Sequence, residues 1–434
     1  MSDPIKVSTA LTLPCGAILP NRLCKAAMTE GLADPWGRAT DRLVTLYRRW
    51  AKSGAGLLLS GNIQIDRRSL ERAGNIRIEG PQDAEQMSRL KALAAAGTSE
   101  GAHFWAQIGH AGRQAAPAVC PTPVAPSAIG LETVAWKKGD LPKALDLEEI
   151  HDMISRFANA AKVCREAGFT GVQIHGAHGY LISAFLSART NHRTDEWGGS
   201  LANRARFLLA VIRATRAAVG PDFPIGVKMN SADFQKGGFT HAESMAVVEM
   251  LNHESIDLLE LSGGTYEGAA MIGIVEADQL TREPVRASTA AREAYFAVYT
   301  ADARKIARMP VMATGGFRRL ASMEAALNEG TCDVVGLGRP FCVDMEIGTK
   351  LLTGAVSETP AFETVKVLNV EERTGKTADE IHAAQVFLQQ SLLYLGLFDL
   401  GDGKDPDYSR SLQQTEIEFA QKEGAIEQAI LPRY

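Results

Sequence analysis

The chain has 434 residues, 45% of them hydrophobic and 22% charged, an ordinary globular composition that excludes a disordered, collagen-like or disulfide-knot protein. Its 46 Lys and Arg against 51 Asp and Glu leave a net charge of −5, which offers no general attraction for nucleic acid or an anionic membrane. The six cysteines (Cys15, Cys24, Cys120, Cys164, Cys332, Cys342) contain no C-x-x-C pair, so the usual spacings of a zinc ribbon or an iron–sulfur cluster are missing and free thiols are expected.

The N-terminal stretch has a turn at Pro14-Cys15-Gly16 and is predicted to form a hairpin that closes the bottom of a barrel. From about Leu23 to about Leu352, short apolar runs alternate with longer amphipathic segments, the pattern of βα units. Strands are predicted at Leu23–Met28, Gly56–Ser60, Ala102–Gln107, Gly171–His175, Ile225–Met229, Ile256–Leu261, Pro310–Thr314 and Asp333–Leu337. Helices are predicted at Asp41–Lys52, Gln82–Ala96, Leu147–Ala167, Leu201–Val219, Thr240–Asn252, Thr289–Arg308, Leu320–Asn328 and near Met345–Leu352. Gly168 comes directly after one of them and Gly330 one residue beyond another, where a left-handed residue ends a helix. Buried parallel strands joined by crossover helices, eight of each, predict an α/β fold, a TIM (β/α)8 barrel with an N-terminal capping segment over residues 1–353. Residues 354–434 form a tail whose segment Ala378–Leu397 is predicted to be an amphipathic helix packing on the barrel or on a neighbouring subunit. No stretch reaches the ~20 apolar residues of a membrane span and no signal peptide precedes the first strand, so a cytoplasmic protein is expected, without membrane or nucleic-acid partners. Copies of the same chain remain possible partners.

In such a barrel the chemistry lies at the C-terminal ends of the strands. The first strand ends in Met28-Thr29-Glu30, the second in Ser60-Gly61-Asn62, and the third in Gln107 followed by His110-Ala111-Gly112-Arg113. The last two end in Thr314-Gly315-Gly316-Phe317 and Gly336-Leu337-Gly338-Arg339, where glycine N–H groups and an arginine fork suit a phosphate. His175 and His178, with Tyr180 two residues on, can aim two imidazoles at a carbonyl oxygen that gains negative charge, beside a phenolic proton donor. A metal would want a third ligand that no other strand end offers. Lys228 ends the fifth strand, and two readings stay open for it: a Schiff-base nucleophile, or a fixed charge facing an electron-rich cofactor or a phosphate.

The residues His110-Ala111-Gly112-Arg113, His175-x-x-His178-Gly179-Tyr180-Leu181, Phe185-Leu186-Ser187, Asn191-His192-Arg193-Thr194-Asp195-Glu196-Trp197-Gly198-Gly199-Ser200 and Asn203-Arg204 closely resemble the old yellow enzyme family of FMN-dependent ene-reductases. The resemblance covers the barrel and leaves the tail outside. It implies that FMN lies across the barrel mouth, its phosphate held by Gly316, Phe317, Gly338 and Arg339, with Gln107 at the pyrimidine edge. It further implies a hydrogen bond from Thr29 to the flavin and backbone contacts from Ala27, Met28 and Gly61. His175 and His178 would bind the substrate carbonyl, and Tyr180 would protonate its α-carbon. Lys228 stands where many members have Arg, keeping a positive charge for the reduced flavin without the second donor of a guanidinium.

The function so implied is an FMN-dependent oxidoreductase, with NADPH or NADH as reductant, that reduces the C=C bond of α,β-unsaturated carbonyl compounds. Alternatives are the same site run as a dehydrogenase that desaturates a ketone and, from a different class, a flavin-free lyase using Lys228 as Schiff base. A barrel enzyme acting on tRNA is disfavoured by the acidic balance. The loops Cys120–Asp140 and Glu267–Arg286, where the family pattern fades, are expected to set substrate choice.

Overall fold

The computed structural model describes residues 4–131, 140–265, 297–362 and 378–430. Eight parallel strands close on themselves: β1 (Leu23–Lys25), β2 (Leu57–Leu59), β3 (His103–Gly109), β4 (Gly171–Gly176), β5 (Ile225–Asn230), β6 (Leu258–Ser262), β7 (Val311–Thr314) and β8 (Val334–Leu337). Each pairs with its neighbours in chain order, β8 returns to β1, and β2 pairs β3, so the sheet has no free edge. β1 is shorter than its sequence suggests. Ala27 and Met28 leave the ladder, which frees them to turn across the barrel mouth.

The helices are α1 (Asp41–Ala51), α2 (Ala84–Gly97), α3 (Leu147–Ala167), α4 (Leu201–Val219), α5 (His241–Leu251), α6 (Ala297–Ile306), α7 (Leu320–Asn328) and α8 (Ile347–Leu352). Local chemistry sets their ends. Asp146 with Glu149, and Thr240 with Glu243, form capping boxes that satisfy the first amides of α3 and α5. Gly168 closes α3 at φ 95°. Of the predicted helix Thr289–Arg308, residues 289–296 lie outside the described residues.

Trp105 fills the barrel interior with Leu57, Leu59, Leu258, Met312 and Val334, and the plug is finished by Leu13 and Leu19. Those two belong to the N-terminal hairpin, whose Leu11–Thr12 and Ile18–Leu19 pair antiparallel. The indole fits because glycines stand beside it: a Cβ on Gly171 would come within 2.5 Å of Trp105 Nε1, and one on Gly226 within 3.0 Å of the ring.

The tail forms two helices, α9 (Ala378–Gly401) and α10 (Leu412–Ile430), of which the sequence pattern anticipates only the first. α9 packs along α1 and puts Leu395, Leu397, Phe398 and Leu400 into the main core. Arg42 pairs with Asp402 at 2.5 Å and Arg49 with Asp405 at 2.8 Å. Arg72, buried in the loop after β2, donates Nε and Nη2 to the two oxygens of Glu423 in α10 and lies 3.6 Å from the ring centre of Tyr394.

This packing sets two stability outcomes. Gly171→Ala drives a methyl into Trp105 and lowers stability by about 1–3 kcal/mol, part of which the double variant Gly171→Ala/Trp105→Leu recovers in urea titrations. Arg72→Met strands the Glu423 carboxylate and costs about 3 kcal/mol, read as a lower urea midpoint.

Candidate active site

The strand ends and the tail together line a cavity of about 340 Å³ at the barrel mouth. Among the residues singled out from the sequence, Ala27, Met28, Thr29, Gln107, His175, His178, Tyr180, Lys228, Gly316, Phe317, Gly338 and Arg339 all line it. Gly61 does not. Its amide donates to Glu30 Oε1 at 2.8 Å, and a Cβ there would collide with that carboxylate. His110 is buried away from the cavity, its Nδ1 accepting from the Gly112 amide at 3.0 Å. Thr29 lines the cavity, and its hydroxyl donates to Glu71 Oε2 at 3.1 Å.

His175, Lys228 and Glu260 lie side by side across β4, β5 and β6, because the parallel register sets His175 against Lys228 and Lys228 against Glu260. The Ala177 amide donates to His175 Nδ1 at 3.2 Å. With Nδ1 an acceptor, the neutral ring carries its proton on Nε2, as a donor. His178 sits at φ 63°, a left-handed conformation rare outside glycine, and is pinned from three sides. Its amide donates to Asn230 Oδ1 at 3.0 Å, its carbonyl accepts from Gln114 Nε2 at 2.7 Å, and its Nε2 lies 2.8 Å from Ser262 Oγ. The two imidazoles meet edge to face at 5.2 Å, and Tyr180 lies edge-on to His175 at 4.8 Å. Burial pushes both histidines well below the ordinary imidazole pKa, and the Lys228 cation adds to the effect. Both rings are therefore neutral donors at pH 7.

On the opposite wall, Gly315 and Gly316 take φ 99° and 82°, a turn that only glycine makes without strain. The amides of Gly316, Phe317 and Gly338 have no hydrogen-bond acceptor among the described residues, and Thr314 Oγ1 is likewise unpartnered. Such amides beside Arg339 are a donor set for a phosphate. An elongated cofactor with a phosphate at one end and a polar, electron-accepting ring at the other fits these residues. Sequence reasoning missed Gln173 and Glu260, and also the tail residues Gln389, Gln390, Leu393, Tyr394 and Leu397, which close one side of the cavity. A lone carboxylate inside the apolar strand Leu258–Ser262 was the one available signal for Glu260. The loop Glu267–Arg286 and residues 132–139 of the loop Cys120–Asp140 lie outside the described residues.

Neutral donors facing a phosphate cradle across a barrel mouth are the equipment of a flavin-dependent oxidoreductase, and comparison with known proteins bears on that class directly. Residues 4–358 match the family described as NADH:flavin oxidoreductase / NADH oxidase. The chain is 34% identical over 367 residues to the NADH-dependent flavin oxidoreductase iliE of Hypocrea jecorina, covering 78% of this chain and 87% of that one. Among solved structures it resembles a 2-naphthoyl-CoA reductase complex (TM-score 0.69, 28% identity), over 81% of this chain and 52% of the other. It also resembles the old yellow enzyme homologue of Zymomonas mobilis (TM-score 0.67, 25% identity), over 86% and 99%.

The chain belongs to the NADH:flavin oxidoreductase / NADH oxidase family, of the old yellow enzyme type, with FMN as cofactor and NADH as reductant. Membership overturns the flavin-free lyase alternative, and the ion pair of Lys228 with Glu260 at 2.9 Å engages the ammonium that a Schiff base would need free. Among the described residues no helix is long and apolar enough to cross a membrane.

The buried imidazoles make stability depend on pH. His110, which burial lowers to about 4, and His175 and His178, lowered by the same cause, take up protons near pH 6.5 when unfolded but only at lower pH when folded. The unfolded chain then binds more protons between those values, so stability is full above about pH 6.5 and falls as the pH drops toward 4, by up to about 1.4 kcal/mol per pH unit for each ring. Urea unfolding at pH 7.5 and 5.5 checks this; equal free energies would mean the rings protonate in place.

Proposed function

We propose that this enzyme reduces the C=C bond of α,β-unsaturated carbonyl compounds. The observation that carries the reading is the trio His175, His178 and Tyr180, two neutral imidazoles and a phenol gathered edge to face in one wall of the cavity. FMN, when bound, supplies a hydride to the substrate's β-carbon. Gly316, Phe317, Gly338 and Arg339 would hold its phosphate, and Gln107 and Lys228 its pyrimidine side.

The remaining chemistry belongs to the chain. A carbonyl oxygen placed between His175 Nε2–H and His178 accepts two hydrogen bonds, which strengthen as hydride arrives at the β-carbon and charge builds on the oxygen as an enolate. Each well-placed donor contributes about 3 kcal/mol to that state. Neutral rings are the right donors here, because a hydrogen bond from a ring N–H needs no proton transfer and leaves the ring unchanged for the next turnover. Tyr180 then gives its phenolic proton to the α-carbon, which completes saturation, and regains a proton from solvent. The left-handed backbone of His178 serves this geometry. It holds the ring edge to face with that of His175, 5.2 Å away.

The outcomes are specific. His175→Ala/His178→Ala lowers cyclohexenone reduction by about 100-fold or more while the visible FMN spectrum persists. Tyr180→Phe leaves reduction of FMN by NADH intact and slows only the step in which the enone reoxidises it, seen by stopped-flow absorbance. Unchanged enone turnover in the double histidine variant would overturn the proposed function.

A further inference from the structure

Behind the cavity wall, four side chains form one continuous chain. Gln107 Nε2 donates to Gln173 Oε1 at 2.7 Å, Gln173 Nε2 donates to Glu260 Oε2 at 2.7 Å, and Glu260 Oε1 lies 2.9 Å from Lys228 Nζ. Only its two ends, Gln107 and Lys228, line the cavity. Glu260 is fully buried and Lys228 is 6% exposed in its side chain, so the pair is poorly screened by solvent. The charge that faces the cavity at Lys228 is therefore not a lone cation. It is one end of a dipole.

We propose that Glu260 is a positioning residue that offsets the Lys228 charge and so sets the reduction potential of the bound flavin. The proposal rests on the reading that Lys228 faces the pyrimidine side of FMN. Hydride uptake from NADH releases NAD⁺ and leaves the cofactor one negative charge richer. A nearby cation stabilises that added charge and thereby raises the potential. A cation with a carboxylate 2.9 Å behind it does so less, because the field of a pair falls off faster with distance than that of a single charge. Glu260 thus keeps the reduced flavin a stronger hydride donor than an unpaired Lys228 would allow. Gln173 holds the carboxylate in place, and through Gln107 it ties that hold to the same wall of the cavity.

Anaerobic redox titration of the FMN-loaded protein against a reference dye tests this. Glu260→Gln is expected to favour reduced over oxidised FMN by about tenfold more than the native protein, a rise of about 30 mV for a two-electron couple. Lys228→Met should shift the potential the other way, and the double variant should lie between. Glu260→Asp, which keeps the charge but withdraws it by one methylene, gives a smaller rise and serves if Glu260→Gln fails to retain FMN. A merely structural role would not move the potential in opposite directions for the two partners. If Lys228→Met lowers the potential and neither Glu260 variant raises it, the offsetting role is overturned while the placement of Lys228 stands. If Lys228→Met leaves the potential unmoved, Lys228 does not face the flavin and both readings fall.

Discussion

The site depends on one buried ion pair held in register. Lys228 and Glu260 are opposite neighbours in a parallel ladder, and His175 lies on the other side of Lys228 in the next strand. Burying either charge alone would cost several kcal/mol, and pairing across adjacent strands offsets that cost only where backbone register brings the two ends together. The barrel supplies that register because it is closed: with no edge strand to slip, a shift of one ladder would have to propagate around all eight. The same placement sets the state of the histidines, since burial and the Lys228 cation together keep both rings neutral.

Around this layer the chain tolerates features that would be costly elsewhere. His178 occupies a left-handed conformation that its surroundings hold on three sides, and glycines stand where a side chain would strike Trp105 or the Glu30 carboxylate. These are compensated exceptions of the kind that gather at functional sites. The lower half of the barrel, by contrast, is filled by Trp105 and its aliphatic neighbours and sealed by the N-terminal hairpin, which gives the mouth a rigid floor.

The C-terminal helices belong to this arrangement rather than lying apart from it. α9 contributes Gln390, Leu393 and Tyr394 to the cavity, and Arg72 links both tail helices to the loop after β2, next to the Glu71 carboxylate that accepts from the Thr29 hydroxyl. Through these contacts the tail borders the same cavity as the barrel loops.

The sequence by itself determined the eight βα units, the helix ends with polar caps, and most of the cavity wall. Those features are local: hydrophobic period, capping residues and motifs such as His175-x-x-His178 act within a few residues of one another. The tertiary structure alone decided what depends on contacts between distant segments. It gave the Gly61 amide to Glu30 and the Thr29 hydroxyl to Glu71, and converted Lys228 from a lone cation into half of a pair with a carboxylate 32 positions away. It also made the tail a wall, since an amphipathic helix announces that its apolar face will be covered but not by what. Hydrogen bonds and ion pairs are short-ranged and directional, so which buried polar groups meet is settled only when the strands are in register.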